Sequence, residues 1–281
     1  AQNKPVALAL GDLLTELPDS HPDYRAYLST RSAILRALPQ VDAVIGSTPE
    51  LCFYLAQFNP HVHLLPNYLD DGLWSVRHSA PPAGEKLVIG YMGGHSHAPD
   101  LEMITPALLK LLEKHAGRIQ LDFWGLPPPP ALRDLPWVKW RQVALVSYRE
   151  FAAYFSEQAC DIFIAPLADN TFNRAKSSLK FLEYSALGAP GVYSRVQPYA
   201  RVVEHGVNGL LATTPDEWYA ALCRLVEDSE LRLRLGAGAR QTLQEKWLLS
   251  AHVQEWANVY RAIHAAGPKP PPPPPGQNPP P

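Results

Sequence analysis

Short apolar runs without alternation recur along the chain, separated by stretches whose apolar positions follow helical spacing. Residues 6–10, 41–45, 62–65, 87–92, 119–124, 137–141, 161–167, 192–194 and 210–211 form the first set. Runs apolar on both faces predict strands of a parallel sheet covered on each side. Residues 22–38, 48–58, 98–115, 148–159, 177–188, 215–227, 230–247 and 250–263 form the second set, and they read as helices. Punctuation supports several of them. Thr48-Pro49-Glu50 offers a cap, an N1 proline and an acidic first turn, while Gly188 and Pro190 close the helix that Ser177 or Ser178 opens. Strand and helix alternate throughout, which predicts an α/β, doubly wound architecture.

Some segments break the rhythm. Pro106 predicts a helix split in two, with Thr105 capping the second piece. Gly236 and Gly238 predict an interruption in 230–247, residues 127–130 a rigid loop, and residues 168–176 a polar loop. The polar stretch around Pro81-Pro82-Ala83-Gly84 reads as a linker between two sets of βα units. The expected divisions are therefore 1–68, a linker at 69–85, 86–247, a last helix at 248–266 and a tail at 267–281. That tail holds ten prolines in fifteen residues, so it is expected to be extended, unpacked and disordered, a spacer to another domain. Three strands before residue 67 are half of a doubly wound sheet, and the chain opens without Met, so the sequence is expected to be cut from a longer one.

Composition narrows the function. A length of 281 residues allows one large or two modest domains, and 46% hydrophobic with 19% charged residues is ordinary for a soluble globular chain. A net charge of −2 gives no electrostatic footprint for nucleic acid or an anionic membrane surface. Three scattered cysteines, Cys52, Cys160 and Cys223, lack metal spacing and suggest reduced thiols in a cytoplasmic compartment. No apolar run approaches the ~18–20 residues of a membrane span.

Candidate chemistry concentrates in residues 161–191. Lys176, Lys180 and Glu183 stand at i, i+4 and i+7 and share one stripe if a single helix carries them. A helix N-terminus with two lysines favours an anion, and Glu183 one turn further in can accept from hydroxyl groups. An anion followed by a diol describes a nucleotide sugar. The bland alternative is a solvated face with a Lys180–Glu183 ion pair. Gly93-Gly94, directly after a strand, is a second phosphate candidate, although no third glycine completes a dinucleotide fingerprint. His95 and His97 with Asp100 admit a metal reading, but lone His-x-His pairs are usually not metal sites. His97 fits better as a hydrogen-bond donor at the mouth of the strands.

Four stretches, residues 89–108 (IGYMGGHSHAPDLEMITPAL), 148–167 (YREFAAYFSEQACDIFIAPL), 172–190 (FNRAKSSLKFLEYSALGAP) and 198–211 (PYARVVEHGVNGLL), together resemble a glycosyltransferase of the GT-B fold, in the family 4 group of retaining enzymes. The third is the most specific, similar to that group's F-N-x-x-K-S-x-x-K-x-x-E-Y helix. The resemblance spans about residues 1–264. It implies a complete Rossmann-like donor domain and the last part of an N-terminal acceptor domain, with the final helix crossing back to the latter. It implies a nucleotide-diphosphate sugar as donor, a saccharide or lipid-linked acceptor, bacterial surface or exopolysaccharide synthesis, and a cytoplasmic location with association at the membrane face. By the same resemblance, Glu183 binds the ribose hydroxyls, while Lys176, Ser177 and Lys180 lie along the sugar and diphosphate opposite Gly93, Gly94 and His97. Lys176, Lys180 and His97 are then the expected catalytic groups, and Asn173 and Asp100 complete the donor set. No cofactor and no metal are expected.

The chain departs from the group at five places, the first being Gly11, which stands where the group often has the first acid of an Asp-Asp-Leu-Leu element. Gly94 and Asp100 stand where many relatives carry Arg and Lys, Ala175 stands where many carry an earlier glutamate, and Gly191 where a β-branched residue is usual. Two other readings follow: a nucleotide-sugar epimerase of the same fold, for which residues 1–67 show no acid–base carboxylate set, and a non-catalytic nucleotide-sugar-binding module.

Overall fold

The computed structural model describes residues 4–76, 86–143 and 147–270. Two wholly parallel sheets organise them. The first lobe carries β1 (Ala7–Leu10), β2 (Ala43–Gly46) and β3 (Val62–Leu64) in the order β1-β2-β3, with α1 (Tyr24–Ala37) and α2 (Pro49–Leu55) between them. The Thr48 hydroxyl accepts from Leu51 N at 3.2 Å and caps α2.

The second lobe carries β4 (Leu87–Gly93), β5 (Ile119–Gly125), β6 (Val138–Arg141), β7 (Ile162–Ala165), β8 (Gly191–Ser194) and β9 (Leu210–Ala212), in the order β6-β5-β4-β7-β8-β9. The chain winds outward from β4 to β6 and then returns to place β7 beside β4, with Ile89 opposite Ile162. The strand order therefore reverses between β4 and β7. Open α/β sheets bind ligands outside the carboxyl ends of their strands at such a point.

The helices of this lobe are α3 (Ala98–Lys114), α4 (Pro130–Arg133), α5 (Tyr148–Ser156), α6 (Thr171–Arg174), α7 (Leu179–Ala186), α8 (Gln197–Ala200), α9 (Pro215–Glu227) and α10 (Ser229–Lys246). They bury both faces of the sheet. Leu101, Leu108, Leu111, Trp218 and Leu222 lie in one apolar cluster, and Phe155, Phe181, Leu182, Tyr184 and Leu243 in the other. The last helix, α11 (Leu249–Ala266), returns to the first sheet, where Trp256, Val259 and Ile263 pack on Ala43 and Ile45.

Three local expectations are corrected. Pro106 does not split its helix, because α3 runs through it. Both Pro106 and Glu102, whose carbonyl loses its partner, face solvent, so water can satisfy the orphan. The Thr105 hydroxyl meanwhile donates back to Leu101 O at 3.0 Å instead of capping. Gly236 and Gly238 do not interrupt α10 either; they let other backbone approach, since a Cβ on Gly236 would lie 2.6 Å from the carbonyl oxygen of Gly188. Residues 168–176 hold α6 in place of a continuous loop, and residues 127–130 end on the first residue of α4.

The segments flanking the lobes are packed where they are described. In the first part of the expected linker, Leu69 N donates to Trp247 O at 2.9 Å and Trp74 is buried against Phe151 and Phe155. Residues 77–85, the remainder, lie outside the described residues. The tail begins tied down as well, with Lys269 Nζ donating to Val41 O at 2.7 Å. Residues 271–281 lie outside the described residues. Gly191, finally, has a packing reason: the ring of Tyr193, two residues on along the same face, fills the place a side chain would take.

Candidate active site

The site forms where β4 and β7 end. After β4 the chain passes Gly93-Gly94 into a 3-10 turn, His95–His97, and directly into α3. After β7 the loop is shaped by asparagines. Asn170 caps α6 by accepting from Asn173 N at 2.8 Å, and the buried Asn173 amide donates to Ala168 O at 2.9 Å. Asn173 is thus a latch inside the loop, with its side-chain amide turned to the backbone of Ala168.

Asp100, 4% exposed, ties the two strand ends together. One carboxylate oxygen accepts from Ala168 N at 2.7 Å and the other lies 2.7 Å from His97 Nδ1. The opposite ring nitrogen, His97 Nε2, is 3.2 Å from Lys180 Nζ. An ammonium has donors only, so Nε2 is the acceptor and Nδ1–H donates to Asp100. Burial, reinforced by the Lys180 charge, pushes the His97 pKa down to about 4, which agrees with a neutral ring. Asp100 therefore braces His97 and the loop, and His97 in turn holds Lys180.

Lys180 and Glu183 both lie on α7, while Lys176 does not. It sits in the link between α6 and α7, with Nζ 4.6 Å from the centre of the Phe172 ring. The expected stripe of three charges on one helix is corrected to two charges on α7 and a third before its start. The Lys180–Glu183 ion pair, the bland alternative, does not form within 4.0 Å. Glu183, 4% exposed, instead accepts from the Tyr148 hydroxyl at 3.3 Å, and that hydroxyl accepts from Trp74 Nε1 at 3.1 Å. Burial pushes Glu183 up and Lys180 down, with Lys176 lowering Lys180 further. Glu183, buried, and Lys180, half-buried, thus stand on one wall of α7 without a direct ion pair between them.

No side chain caps the start of α7, so its first N–H groups are available as donors. Ser177 sits just before it at the seam of the lobes and accepts from Asn67 Nδ2 at 3.2 Å. A cavity of about 440 Å³ opens beside Gly93 and Gly94, walled by Met92, Trp124, Tyr148, Phe151 and Phe155. Tyr148 connects it to Glu183. Sequence reasoning missed Tyr148 and this aromatic wall. The signal lay in Ser147 and Glu150, which form a capping box and so fix Tyr148 as the first residue of α5.

His95 turns away from His97, and its Nε2 lies 2.9 Å from Asp23 of the first lobe. Further ties across the seam come from Thr48 Oγ1, which donates to Ala175 O at 2.8 Å, and from an ion pair between Arg201 and Glu50.

Comparison with known proteins adds the following. A family profile described as Glycosyl transferases group 1 matches residues 86–228. D-inositol 3-phosphate glycosyltransferase of Stackebrandtia nassauensis is 32% identical over 171 residues, 55% of this chain and 37% of that protein. The Bacillus subtilis glycosyltransferase TuaH, named for teichuronic acid biosynthesis, is 24% identical over 250 residues, 83% of this chain and 58% of that protein. The chain thus spans about half the length of the curated relatives it matches. The structure of Anabaena Alr3699/HepE in complex with UDP-glucose superposes with a TM-score of 0.68 at 15% identity, over 92% of this chain and 72% of that one. The likeness establishes the fold, which is GT-B. Among the described residues no helix is long and apolar enough to cross a membrane.

Proposed function

Because the chain belongs to the Glycosyl transferases group 1 family, we propose that it moves a sugar from a nucleotide-diphosphate donor to an acceptor hydroxyl, with retention at the anomeric carbon. The observation that carries this reading is the disposition of Lys180 and Glu183, half-buried and buried respectively on one turn of α7 and unpaired with each other beside an aromatic cavity. Residues 86–247 are the donor domain, with residues 1–68 and α11 on the acceptor side.

The nucleobase enters the aromatic cavity, where Phe151, Trp124 and Tyr148 give it apolar walls. Glu183 accepts from the ribose hydroxyls. The diphosphate lies across the Gly93-Gly94 backbone and the open start of α7, with Lys176 and Ser177 alongside. Lys180, steered by the Asp100–His97 brace, meets the negative charge that grows as the bond to the departing diphosphate breaks. The anomeric carbon loses its bond to the phosphate oxygen and gains one to the acceptor oxygen on the same face. The acceptor proton leaves with the departing phosphate. This chemistry needs fixed positive charge more than an acid–base pair, and the chain's own lysines and N–H groups supply it.

UDP-glucose is bound in the Anabaena structure and the Bacillus relative is named for teichuronic acid biosynthesis. The first supports a uridine or related donor, and the second a polysaccharide acceptor, saccharide or lipid-linked. One observation favours a second reading, a module that binds without transfer: Asp100, where many relatives have a cation, is fully engaged in bracing. Calorimetry with UDP-, GDP- and dTDP-sugars, with sugar release followed in parallel, tests both. We expect Glu183→Gln to weaken donor binding at least 100-fold with an unchanged melting profile. Unchanged affinity removes the ribose contact, and tight binding without any release favours the module.

A further inference from the structure

A second convergence of ligating side chains lies at the far end of α3. That helix starts at the cleft and runs 17 residues, so its last turn stands roughly 25 Å away along the axis. There His115 meets the last turns of α9. Cys223 and Glu227, four apart, share one face of α9, and a ring nitrogen of His115, Cys223 Sγ and a Glu227 carboxylate oxygen all lie within 4.8 Å of one another. His115 is 3% exposed and Cys223 7%.

Two observations mark this as a cation site. His115 Nε2 is buried and has no hydrogen-bond partner, although it lies 3.5 Å from Glu227 Oε1. A buried imidazole nitrogen beside a carboxylate without a bond to it is an unused ligand atom. The second observation is Lys114. Its ammonium sits in the same place, 2.7 Å from Glu227 Oε1 and 3.8 Å from Cys223 Sγ, and so shows where positive charge is favoured. Its side chain is nearly half exposed, so it can swing out to water and leave the position open.

We propose that His115, Cys223 and Glu227 bind a divalent transition-metal ion of the zinc class, pinning the C-terminal end of α3 to that of α9. One nitrogen, one thiolate and one carboxylate suit a borderline-soft ion, with water or a second carboxylate oxygen as the fourth ligand. In a tetrahedral site such atoms stand roughly 3.5 Å apart, so side-chain rotations of about 1 Å complete the geometry. Binding releases the thiol proton and frees the Lys114 ammonium. The ion is structural and remote from the donor cleft, so the inference stands whether or not the proposed transfer does.

The test uses the full chain without a polyhistidine tag, stripped of metal. Zn²⁺ is titrated by calorimetry, and Co²⁺ by absorption, where a thiolate ligand gives a charge-transfer band. We expect one ion per chain, the thiolate band, a raised melting temperature, and at least a tenfold loss of affinity in Cys223→Ser and in Glu227→Gln. Glu227 is about half exposed, so its variant folds even if Cys223→Ser does not. Lys114→Gln is expected to bind more tightly, because no ammonium competes. Absence of saturable binding, a Co²⁺ spectrum without the thiolate band, or binding indifferent to both ligand variants overturns the proposal.

Discussion

The two lobes differ in how their sheets are covered. The six-stranded sheet of the second lobe has β7 and β8 buried at every position, between apolar clusters built largely from that lobe's own helices. The three-stranded sheet of the first lobe borrows cover on each face. One cluster closes on Phe172 and Ala175 from the α6 segment, and the other on Ile263, Trp256 and Val259 from α11. The helix α1 buries none of its residues completely. Buried charge is tolerated only where the surround is stiff and its partners are held in place. Lys180 and Glu183 accordingly stand in the lobe with the complete core, while the thinner lobe supplies a facing wall and depends on its neighbour for cohesion.

The largest expected effect follows from that dependence. Ile263→Asp puts a carboxylate at a site 6% exposed beneath the first sheet, among apolar side chains. Loss of the apolar contact and burial of the charge together cost about 4 kcal/mol. Calorimetry should resolve two transitions, the first lobe melting early and the second near its original temperature. A single transition shifted as a whole would show that the lobes fold as one unit and would break the contrast.

Next in size is a pH effect confined to the second lobe. In the folded chain His97 stays neutral down to about pH 4, whereas its ordinary value is 6.5. Between those values the unfolded state binds more protons, so this contribution is whole above about pH 6.5 and is lost as pH falls towards 4. From pH 7 to 5 the loss is about 2 kcal/mol at 1.36 kcal/mol per pH unit over the titrating range. Glu183, pushed up by burial to about 7, takes up its proton over the same range with the opposite sign, so the His97 loss is read as the difference between urea titrations of the parent and of His97→Gln at the two pH values. A variant as pH-sensitive as the parent would mean the imidazole is not held neutral by the cleft.

The difference between the lobes also governs what the sequence disclosed. Strands β4, β5, β7 and β8 were readable because burial on both faces leaves uninterrupted apolar runs, and Thr48 and Gly188 declared helix ends by their own chemistry. The positions of Lys180, Glu183, Gly93 and His97 around one cleft followed from motif and strand order. Hidden were features decided by distant partners. Pro106 survives inside α3 because its orphan carbonyl faces water, and Gly191 is filled by a tyrosine two residues away. Lys176 falls in the short link between the asparagine-latched α6 and the start of α7 at Leu179, and Tyr148 reaches Glu183 from 35 positions earlier. Spacing along a chain gives faces of one element, not which neighbouring element will occupy them.

The smallest expected effect tests the seam itself. His95 and Asp23 join the lobes at 2.9 Å, but their side chains are 67% and 38% exposed. An exposed pair of that kind contributes about 0.2–1 kcal/mol and is screened by salt. The hydrogen bond from Thr48 to Ala175, by contrast, is buried and also belongs to the cap of α2. Asp23→Ala should therefore shift the first lobe's transition by no more than about 1 kcal/mol, with the shift vanishing in high salt. Thr48→Val, which leaves Leu51 N and Ala175 O without their partner in a buried place, should cost more and be indifferent to salt. Salt-sensitive melting in the parent that Asp23→Ala abolishes, at a cost well above 1 kcal/mol, would mean that the first lobe is held by charge across the cleft more than by its borrowed apolar cover.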